Sequence, residues 1–184
     1  NGQITHRYHK RLLPTYDVFD EDRYFRPGAE PITFDVDGLR IALSVCEDLW
    51  RGADARSLER YEGKPDPVAE LAAQRIDLLV NPSASPFVLG KQRVQESILQ
   101  RHCRERNIAV AAVNQLGGND ELIFDGRAAV YIPDANSPAG ARLVGATAAF
   151  SGDTLLLDLP TDSAARSILP AAPDPLAVAD EAPL

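Results

Sequence analysis

The sequence has 184 residues, which suit one good-sized domain and are too few for two comfortable ones. Hydrophobic residues make up 45% and charged residues 25%, and the formal net charge is −8. This acidic balance argues against nucleic acid and anionic membranes as partners. The chain has no apolar run of transmembrane length, and its two cysteines are too few for a disulfide framework, so we expect a cytoplasmic protein.

The N-terminal part of the chain predicts an extended segment followed by a loop. Residues 4–13 alternate polar and apolar side chains, which places His6 and His9 on a strand that ends at Pro14. Residues 15–31 have the composition of a loop. The three histidines of the chain have no cysteine or carboxylate at zinc-ligand spacing, so no metal site is predicted.

A hairpin and a helix come next. The runs 32–36 and 39–45 flank Asp37-Gly38, which favours a type I′ turn because both central residues need positive φ. Residues 51–65 read as a surface loop. Asp66-Pro67 then predicts a helix start, because an N-cap acceptor precedes proline at the first helical position.

The second half predicts a helix between two buried strands. The helix covers 91–107, where Cys103 lies on the apolar face as a buried core thiol and His102 lies on the surface. A Gly-Gly turn follows the second strand. The remaining predicted elements are strands at 76–80, 108–113, 128–132, 142–149 and 154–159, and a polar turn at 81–86. This alternation predicts a layered α/β domain over 1–159, and the Pro- and Ala-rich residues 160–184 predict a linker.

Cys46 is a candidate nucleophile because it follows directly on the buried strand 41–45. Substrates bind at strand carboxyl ends in α/β sheets, and a sharp strand exit exposes the side chain there. The alternative is a small core hydrophobe, which is the common environment of cysteine. Glu47 and Asp48 would raise the pKa of the thiol, so a reactive Cys46 requires a cation from elsewhere.

Lys10 is the candidate for that cation. A lysine near the end of one strand would face a cysteine at the end of the neighbouring strand. The alternative is a solvated basic strand edge, since lysines often guard such edges.

Several sequence blocks carry a resemblance to known proteins. Lys10-x-x-Leu13-Pro14 and Cys46-Glu47-Asp48-Leu49-Trp50 resemble the lysine and cysteine blocks of the carbon–nitrogen hydrolase (nitrilase) superfamily. The string 10–25, the block 81–87 with Lys91, and the block 120–126 are similar to the glutaminase domain of glutamine-dependent NAD synthetases. The blocks occur in the same order and spread over residues 8–126, which makes the resemblance specific.

The resemblance implies a four-layer α-β-β-α sandwich and a Glu-Lys-Cys triad. In that triad Cys46 is the nucleophile and Lys10 steadies the oxyanion, with Arg11 as the weaker candidate for the role of the lysine. The positions that match glutamine-holding residues are Tyr16, Ser85 and Lys91. Further candidates for the same pocket are Glu47, through its side chain or neighbouring backbone, and Trp50 and Phe87 as wall residues.

The resemblance also implies the reaction and its partners. The domain would hydrolyse the side-chain amide of L-glutamine without a cofactor and pass ammonia to a C-terminal synthetase domain. That domain, which would hold the ATP and magnesium, makes NAD from nicotinic acid adenine dinucleotide. Two alternatives stay open: a stand-alone nitrilase-type amidase or carbamoylase, and a catalytically incomplete remnant that binds glutamine.

One feature departs from the family pattern. The catalytic glutamate of the family lies well upstream of its lysine, and this chain starts only nine residues before Lys10 and contains no methionine. We therefore interpret the chain as a fragment whose sandwich is incomplete, with the glutamate expected before residue 1. Apolar sheet surface would then be uncovered, from which we expect self-association into a homo-oligomer.

Overall fold

A computed structural model describes residues 2–52, 60–167 and 169–173 of the chain. Within them, six strands form one mixed sheet in the order β1-β2-β3-β4-β7-β8, and β5 and β6 form a separate hairpin. The strands are β1 (Ile32–Val36), β2 (Leu39–Leu43), β3 (Leu78–Ser83), β4 (Ala109–Asn114), β5 (Leu116–Asn119), β6 (Leu122–Asp125), β7 (Ala128–Pro133) and β8 (Ala141–Ala146). The helices are α1 (Pro67–Ala72), α2 (Lys91–Arg106) and α3 (Ser163–Ser167), and short 3-10 turns cover Glu21–Arg23 and Cys46–Leu49. The predicted α/β class is confirmed.

The local signals for the hairpin and for α1 are confirmed. β1 and β2 pair antiparallel with Val36 opposite Leu39, and Asp37 and Gly38 have φ values of 47° and 85°. At the start of α1, the Asp66 carboxylate accepts a hydrogen bond of 2.9 Å from the backbone N–H of Ala69. Side-chain capping of this kind satisfies one of the donors that a helix start leaves without an intrahelical partner.

The core lies between the sheet and helices α1 and α2. The apolar face of α2 is confirmed, since Ile98, Leu99 and Cys103 are all buried there. The prediction of a surface position for His102 is wrong, because its side chain is 1% exposed and its Nε2 atom lies 2.8 Å from the carbonyl oxygen of Leu49. The chain leaving the Cys46–Leu49 turn covers the flank of α2 that sequence periodicity assigns to solvent. None of the helices in the described residues is long and apolar enough to cross a bilayer.

Two strand predictions and one turn prediction are wrong. Residues 4–13 and 154–159 form no strand in the described part of the chain. Instead, Leu159 packs on the sheet face against Ile132 and Val144, so the segment buries side chains there and does not extend the sheet edge. The Gly-Gly pair, Gly117 and Gly118, lies within β5, whose hairpin turns two residues later.

The predicted turn at 81–86 begins inside β3, and this shift creates the site. The pairing of β2 with β3 ends at Leu43 opposite Val80, whereas β3 and β4 stay paired as far as Ser83. Beyond Val80, β3 therefore has no ladder partner on its β2 side, which is where a proline such as Pro82 is tolerated. The chain that leaves β2 turns at Cys46–Leu49, where the Cys46 sulfur meets the backbone N–H of Ala84 just beyond β3.

The stretch predicted as a linker contacts the sheet where the structure describes it. Arg166 pairs with Asp77 at 2.8 Å, and the backbone N–H of Ala172 donates to the carbonyl oxygen of Leu143 at 2.9 Å. Residues 168 and 174–184, like 53–59 of the predicted surface loop, lie outside the described residues. The domain boundary at 159/160 stays a prediction.

The second face of the sheet is covered only in part by the described residues. Ala109, Ile132 and Val144 are buried against the chain that follows β8, whereas Val113 on the internal strand β4 is 46% exposed. The exposed valine agrees with the predicted uncovered apolar surface on this face.

Candidate active site

Cys46 occupies a strained turn at the carboxyl end of β2. Its φ is +48°, in the left-handed region that residues with a side chain rarely adopt, and such strain is common at functional sites. The thiol is partly exposed. Burial raises the pKa of the Cys46 thiol and the carboxylate of Glu47 adds to this, whereas the charge of Lys10 and the backbone N–H of Ala84 lower it. Lys10 is thus the cation beside the thiol, but burial outweighs its charge and keeps the Cys46 pKa above its ordinary value.

Lys10 reaches the site on an irregular segment and not on a sheet strand. Its ammonium group donates to both carboxylate oxygens of Glu21 at 2.8 Å. Arg11 points elsewhere and pairs with Glu70 at 2.8 Å, so the lysine and not the arginine faces the thiol. Glu21 was missed as a site residue by sequence reasoning. The available signal was its position in the same block as Lys10, because a cation in a half-buried cavity needs an acceptor.

A cavity of about 600 Å³ surrounds the thiol. All six predicted site residues contribute to its wall, namely Lys10, Tyr16, Cys46, Glu47, Ser85 and Lys91. The rest of the wall includes Glu21, Phe19 and residues of the β5–β6 hairpin such as Asn119 and Leu122. Trp50 and Phe87 are absent from this described lining. Trp50 has its ring 5.3 Å from the Lys91 ammonium, and Phe87 packs edge-on against Phe150.

Glu47 forms the centre of a buried polar cluster at the site. Its side chain is almost fully buried and accepts hydrogen bonds from the hydroxyls of Tyr16, at 2.9 Å, and Tyr61. Arg60 lies 3.8 Å from the same carboxylate, with its guanidinium 3.6 Å from the Tyr16 ring centroid. Burial, together with Glu47, raises the pKa of both tyrosines, so they stay protonated donors. Sequence reasoning missed Arg60 and Tyr61, which lie in the predicted loop 51–65, where no periodic pattern marks a site.

Ser85 is held by a second polar network. Asn114, the last residue of β4, accepts from the Ser85 N–H at 2.8 Å and donates to the Ser85 carbonyl oxygen at 2.9 Å. Asn114 also donates to Asp125 at 2.7 Å, and Gln95 donates to the Ser85 hydroxyl at 3.3 Å. This network fixes the loop whose Ala84 N–H faces the Cys46 sulfur.

Lys91 stands at the first turn of α2 and faces the cavity. Its ammonium donates to the carbonyl oxygen of Pro86 at 3.2 Å. Burial lowers the pKa of Lys91, and the negative groups of Cys46, Glu47 and Asp125 oppose that shift. A lysine with one neutral oxygen partner and a partly desolvated charge is suited to binding an anion.

The cavity wall thus carries two groups of functional side chains: Cys46 with Lys10 and Glu21, which we call the reactive end, and Glu47 with Lys91, which add two opposite charges. The reactive end brings the Cys46 thiol, a nucleophile, beside the Lys10 ammonium group, a cation that can stabilise a developing oxyanion. Across the described residues, no group of three or more His, Cys, Asp or Glu side chains is arranged to hold a metal ion.

Comparison with known proteins assigns the chain to a family. A glutamine-dependent NAD(+) synthetase of Synechocystis sp. is 44% identical over 125 residues, and one of Aquifex aeolicus is 38% identical over 169 residues. These alignments cover 68% and 91% of this chain. Among solved structures, an amidase from Nesterenkonia sp. of the nitrilase superfamily matches 77% of this chain with a TM-score of 0.56 and 26% identity. The chain belongs to the carbon–nitrogen hydrolase (nitrilase) superfamily.

Within the superfamily it groups with the glutamine-dependent NAD(+) synthetases, as the sequence blocks predict. The structure of the enzyme of that name from Acinetobacter baumannii has a TM-score of 0.67 and 29% identity, over 83% of this chain and 25% of that one. The alignments cover 22% and 26% of the Synechocystis and Aquifex proteins, so the chain spans about a quarter of the length of the curated relatives it matches. The amidase match covers 45% of the amidase chain. No protein-family model matches the chain.

Proposed function

We propose that this chain is the glutaminase region of a glutamine-dependent NAD(+) synthetase. Cys46 would attack the side-chain amide of L-glutamine, and the ammonia released would serve ATP-dependent NAD synthesis from nicotinic acid adenine dinucleotide. The observation that carries this proposal is a single cavity that holds Cys46 and Lys10 together with two opposite charges, Glu47 and Lys91. A substrate with an amide at one end and a zwitterion at the other matches that arrangement.

The reaction would take place in two steps. The Cys46 thiolate forms a bond to the amide carbon, and the oxyanion that develops is stabilised by the Lys10 ammonium. One donor of this kind contributes about 3 kcal/mol to the transition state. The C–N bond then breaks and ammonia leaves, which yields a thioester on Cys46. Water hydrolyses the thioester to glutamate and restores the thiol.

Proton transfer in these steps requires a base. Glu21 accepts both hydrogen bonds of Lys10, and Glu47 accepts hydrogen bonds from Tyr16 and Tyr61, so both carboxylates already have partners. We therefore assign the transfer from thiol to leaving ammonia to the glutamate that the family resemblance implies, and not to Glu21 or Glu47.

Glu47 and Lys91, which we call the recognition end, would recognise the amino-acid end of glutamine. Lys91 would bind the α-carboxylate, and Glu47 would attract the α-ammonium group with the help of the Tyr16 hydroxyl. The Ser85 loop would close the pocket beside the amide. This division of charges favours glutamine over an uncharged amide of similar length.

A synthetase domain would be the partner of this region and the place for ATP and magnesium. The curated relatives are roughly four times as long as the matched stretch, which supports a further domain in the whole protein. Self-association and a cytoplasmic location stay predictions.

An amidase for small uncharged amides is the second candidate, since the amidase from Nesterenkonia sp. shares the fold of 77% of this chain. Butyramide separates the two candidates, because it is glutamine without the α-ammonium and α-carboxylate groups. A glutaminase prefers glutamine strongly in kcat/KM. A preference for butyramide would favour the amidase.

The decisive experiment replaces the thiol in the full-length protein. Cys46→Ala is expected to abolish NAD synthesis with glutamine as the nitrogen donor and to leave synthesis with ammonium chloride. Cys103→Ala is the matched control, because that thiol is buried in the core with its pKa raised to about 12. Equal loss with both nitrogen donors would reject the proposal.

A further inference from the structure

Asp48 is a fully buried carboxylate that accepts four hydrogen bonds. Its Oδ1 atom accepts from the backbone N–H groups of Arg11, at 3.0 Å, and Leu12, at 2.8 Å. Its Oδ2 atom accepts from the hydroxyl of Tyr8, at 2.7 Å, and the backbone N–H of Val45, at 3.0 Å. Its side chain has 0% exposure, so these four donors replace its whole hydration shell.

Three of the four partners of Asp48 are backbone N–H groups, which can only donate, and they reach both carboxylate oxygens, so the side chain acts as an acceptor at both. Burial raises the pKa of Asp48, and the three backbone N–H groups and the Tyr8 hydroxyl oppose that shift. An asparagine of the same shape would turn an NH₂ group toward donors on one side. The site is therefore built for a carboxylate and not for a generic polar residue.

The segment that carries Lys10 depends on this carboxylate. Residues 4–13 pair with no strand among the described residues, so no sheet ladder places them. The Lys10 carbonyl oxygen accepts from the N–H of Gly28 at 2.8 Å, where a side chain on Gly28 would collide with His9. The two N–H groups that follow Lys10, those of Arg11 and Leu12, both donate to Asp48.

The turn that carries Cys46 depends on the same carboxylate. The Val45 N–H donates to the Asp48 side chain, and the Asp48 N–H donates to the Val45 carbonyl oxygen at 3.1 Å. These reciprocal bonds close the turn around Cys46, whose φ of +48° needs support from its surroundings. One side chain thus joins both segments that meet at the reactive end of the cavity.

We propose that Asp48 is a positioning residue that sets the Lys10 ammonium relative to the Cys46 thiol. The inference rests on the proposed function, in which both groups act on the same amide. Asp48 does not line the cavity and acts through the two segments it joins.

The test is Asp48→Asn in the full-length protein, with two readouts. The kcat for glutamine is expected to fall on the order of 100-fold with little change in KM, because small misplacements of reacting groups have effects of this size. The second readout is the rate at which iodoacetamide alkylates Cys46, measured by mass spectrometry of the Cys46 peptide at a series of pH values. The pH at which this rate rises is expected to be higher in the variant than in the unaltered protein. That shift follows because Lys10 no longer lowers the thiol pKa.

A core variant separates positioning from general loss of stability. Val110→Ala removes buried methyl groups from β4 in the core, and is expected to lower the melting temperature while leaving the alkylation profile unchanged. Tyr8→Phe removes one of the four bonds and is expected to lower kcat about 5-fold. If Asp48→Asn does not fold, the Tyr8→Phe profile decides.

Different results would overturn the positioning role of Asp48 and the proposed glutaminase function. An unshifted alkylation profile and an unchanged kcat in Asp48→Asn, or in Tyr8→Phe where that variant decides, would overturn the positioning role. Glutamine-dependent synthesis that survives Cys46→Ala would instead overturn the proposed function, whatever the profile of the Asp48 variant.

Discussion

The two ends of the cavity are held in place in different ways. At the reactive end, backbone N–H groups on both sides of the site converge on Asp48 and so fix the segments of Lys10 and Cys46. At the recognition end, Glu47 is held by contacts between side chains, from Tyr16, Tyr61 and Arg60. Backbone anchoring suits chemistry that tolerates little displacement, whereas side-chain contacts suit the binding of charges. Changes at the first end should therefore alter kcat, and changes at the second should alter KM.

Among variants that keep Cys46, the largest effect is expected at the reactive end, from Lys10→Met. Loss of the oxyanion donor should lower kcat for glutamine by about 100-fold to 1,000-fold, with KM nearly unchanged. Because the Lys10 charge lowers the thiol pKa, its removal should also shift Cys46 alkylation to higher pH. Steady-state kinetics and the pH dependence of alkylation measure both effects.

The control for this prediction is Lys64→Met, since Lys64 is exposed and outside the cavity. A Lys10 variant that raised KM with kcat intact would show that Lys10 binds substrate and does not stabilise the oxyanion.

The next effect is expected at the recognition end, from Lys91→Met. Loss of a charged partner for the α-carboxylate should raise KM for glutamine about 10-fold to 100-fold. The kcat/KM for butyramide should stay the same, because that substrate has no carboxylate. Parallel assays measure kcat/KM for glutamine and for butyramide. An equal loss of kcat/KM with both amides would mean that Lys91 supports the structure of the cavity and does not bind the substrate carboxylate.

A smaller effect is expected from Tyr61→Phe. The variant removes one hydrogen bond to Glu47 and keeps the ring, which is 3% exposed. The KM for glutamine should rise about 5-fold, because Glu47 loses one of its two hydroxyl donors, while kcat changes little. A fall in kcat at constant KM would contradict the separation of the two ends.

The smallest kinetic effect is expected outside both ends, from Asp66→Ala. The lost N-cap of α1 should reduce the free energy of unfolding by about 1 kcal/mol and leave kcat and KM unchanged. Asp66→Asn is the control, because asparagine caps as well as aspartate, although it weakens the contact with Arg106. Urea denaturation measures the free energy of unfolding, and steady-state kinetics measures kcat and KM. A change in kcat or KM would contradict the prediction that the cap of α1 does not affect the site.

Much of the fold and the main site residues were accessible from the sequence. The Asp37-Gly38 turn, the start of α1 and the buried face of α2 follow from signals within a few residues of each other. The family blocks identified Cys46, Lys10 and four further residues that the structure gathers around one cavity. Their roles in the reaction stay predictions. The pairing of Lys10 with Glu21, the tyrosines on Glu47 and the burial of His102 were not accessible, because each depends on a contact between separate segments.

The sequence by itself determined part of the local geometry: the Asp37-Gly38 turn, the starts of α1 and α2, and the side chain that stands at the exit of β2. These features depend on backbone dihedral preferences and on the spacing of apolar residues, which neighbours along the chain decide. Only the tertiary structure decided how buried charges are satisfied. Asp48 finds its donors 36 and 37 residues away, at Leu12 and Arg11. A buried carboxylate is stable only where such donors converge, and their convergence depends on how the whole chain packs.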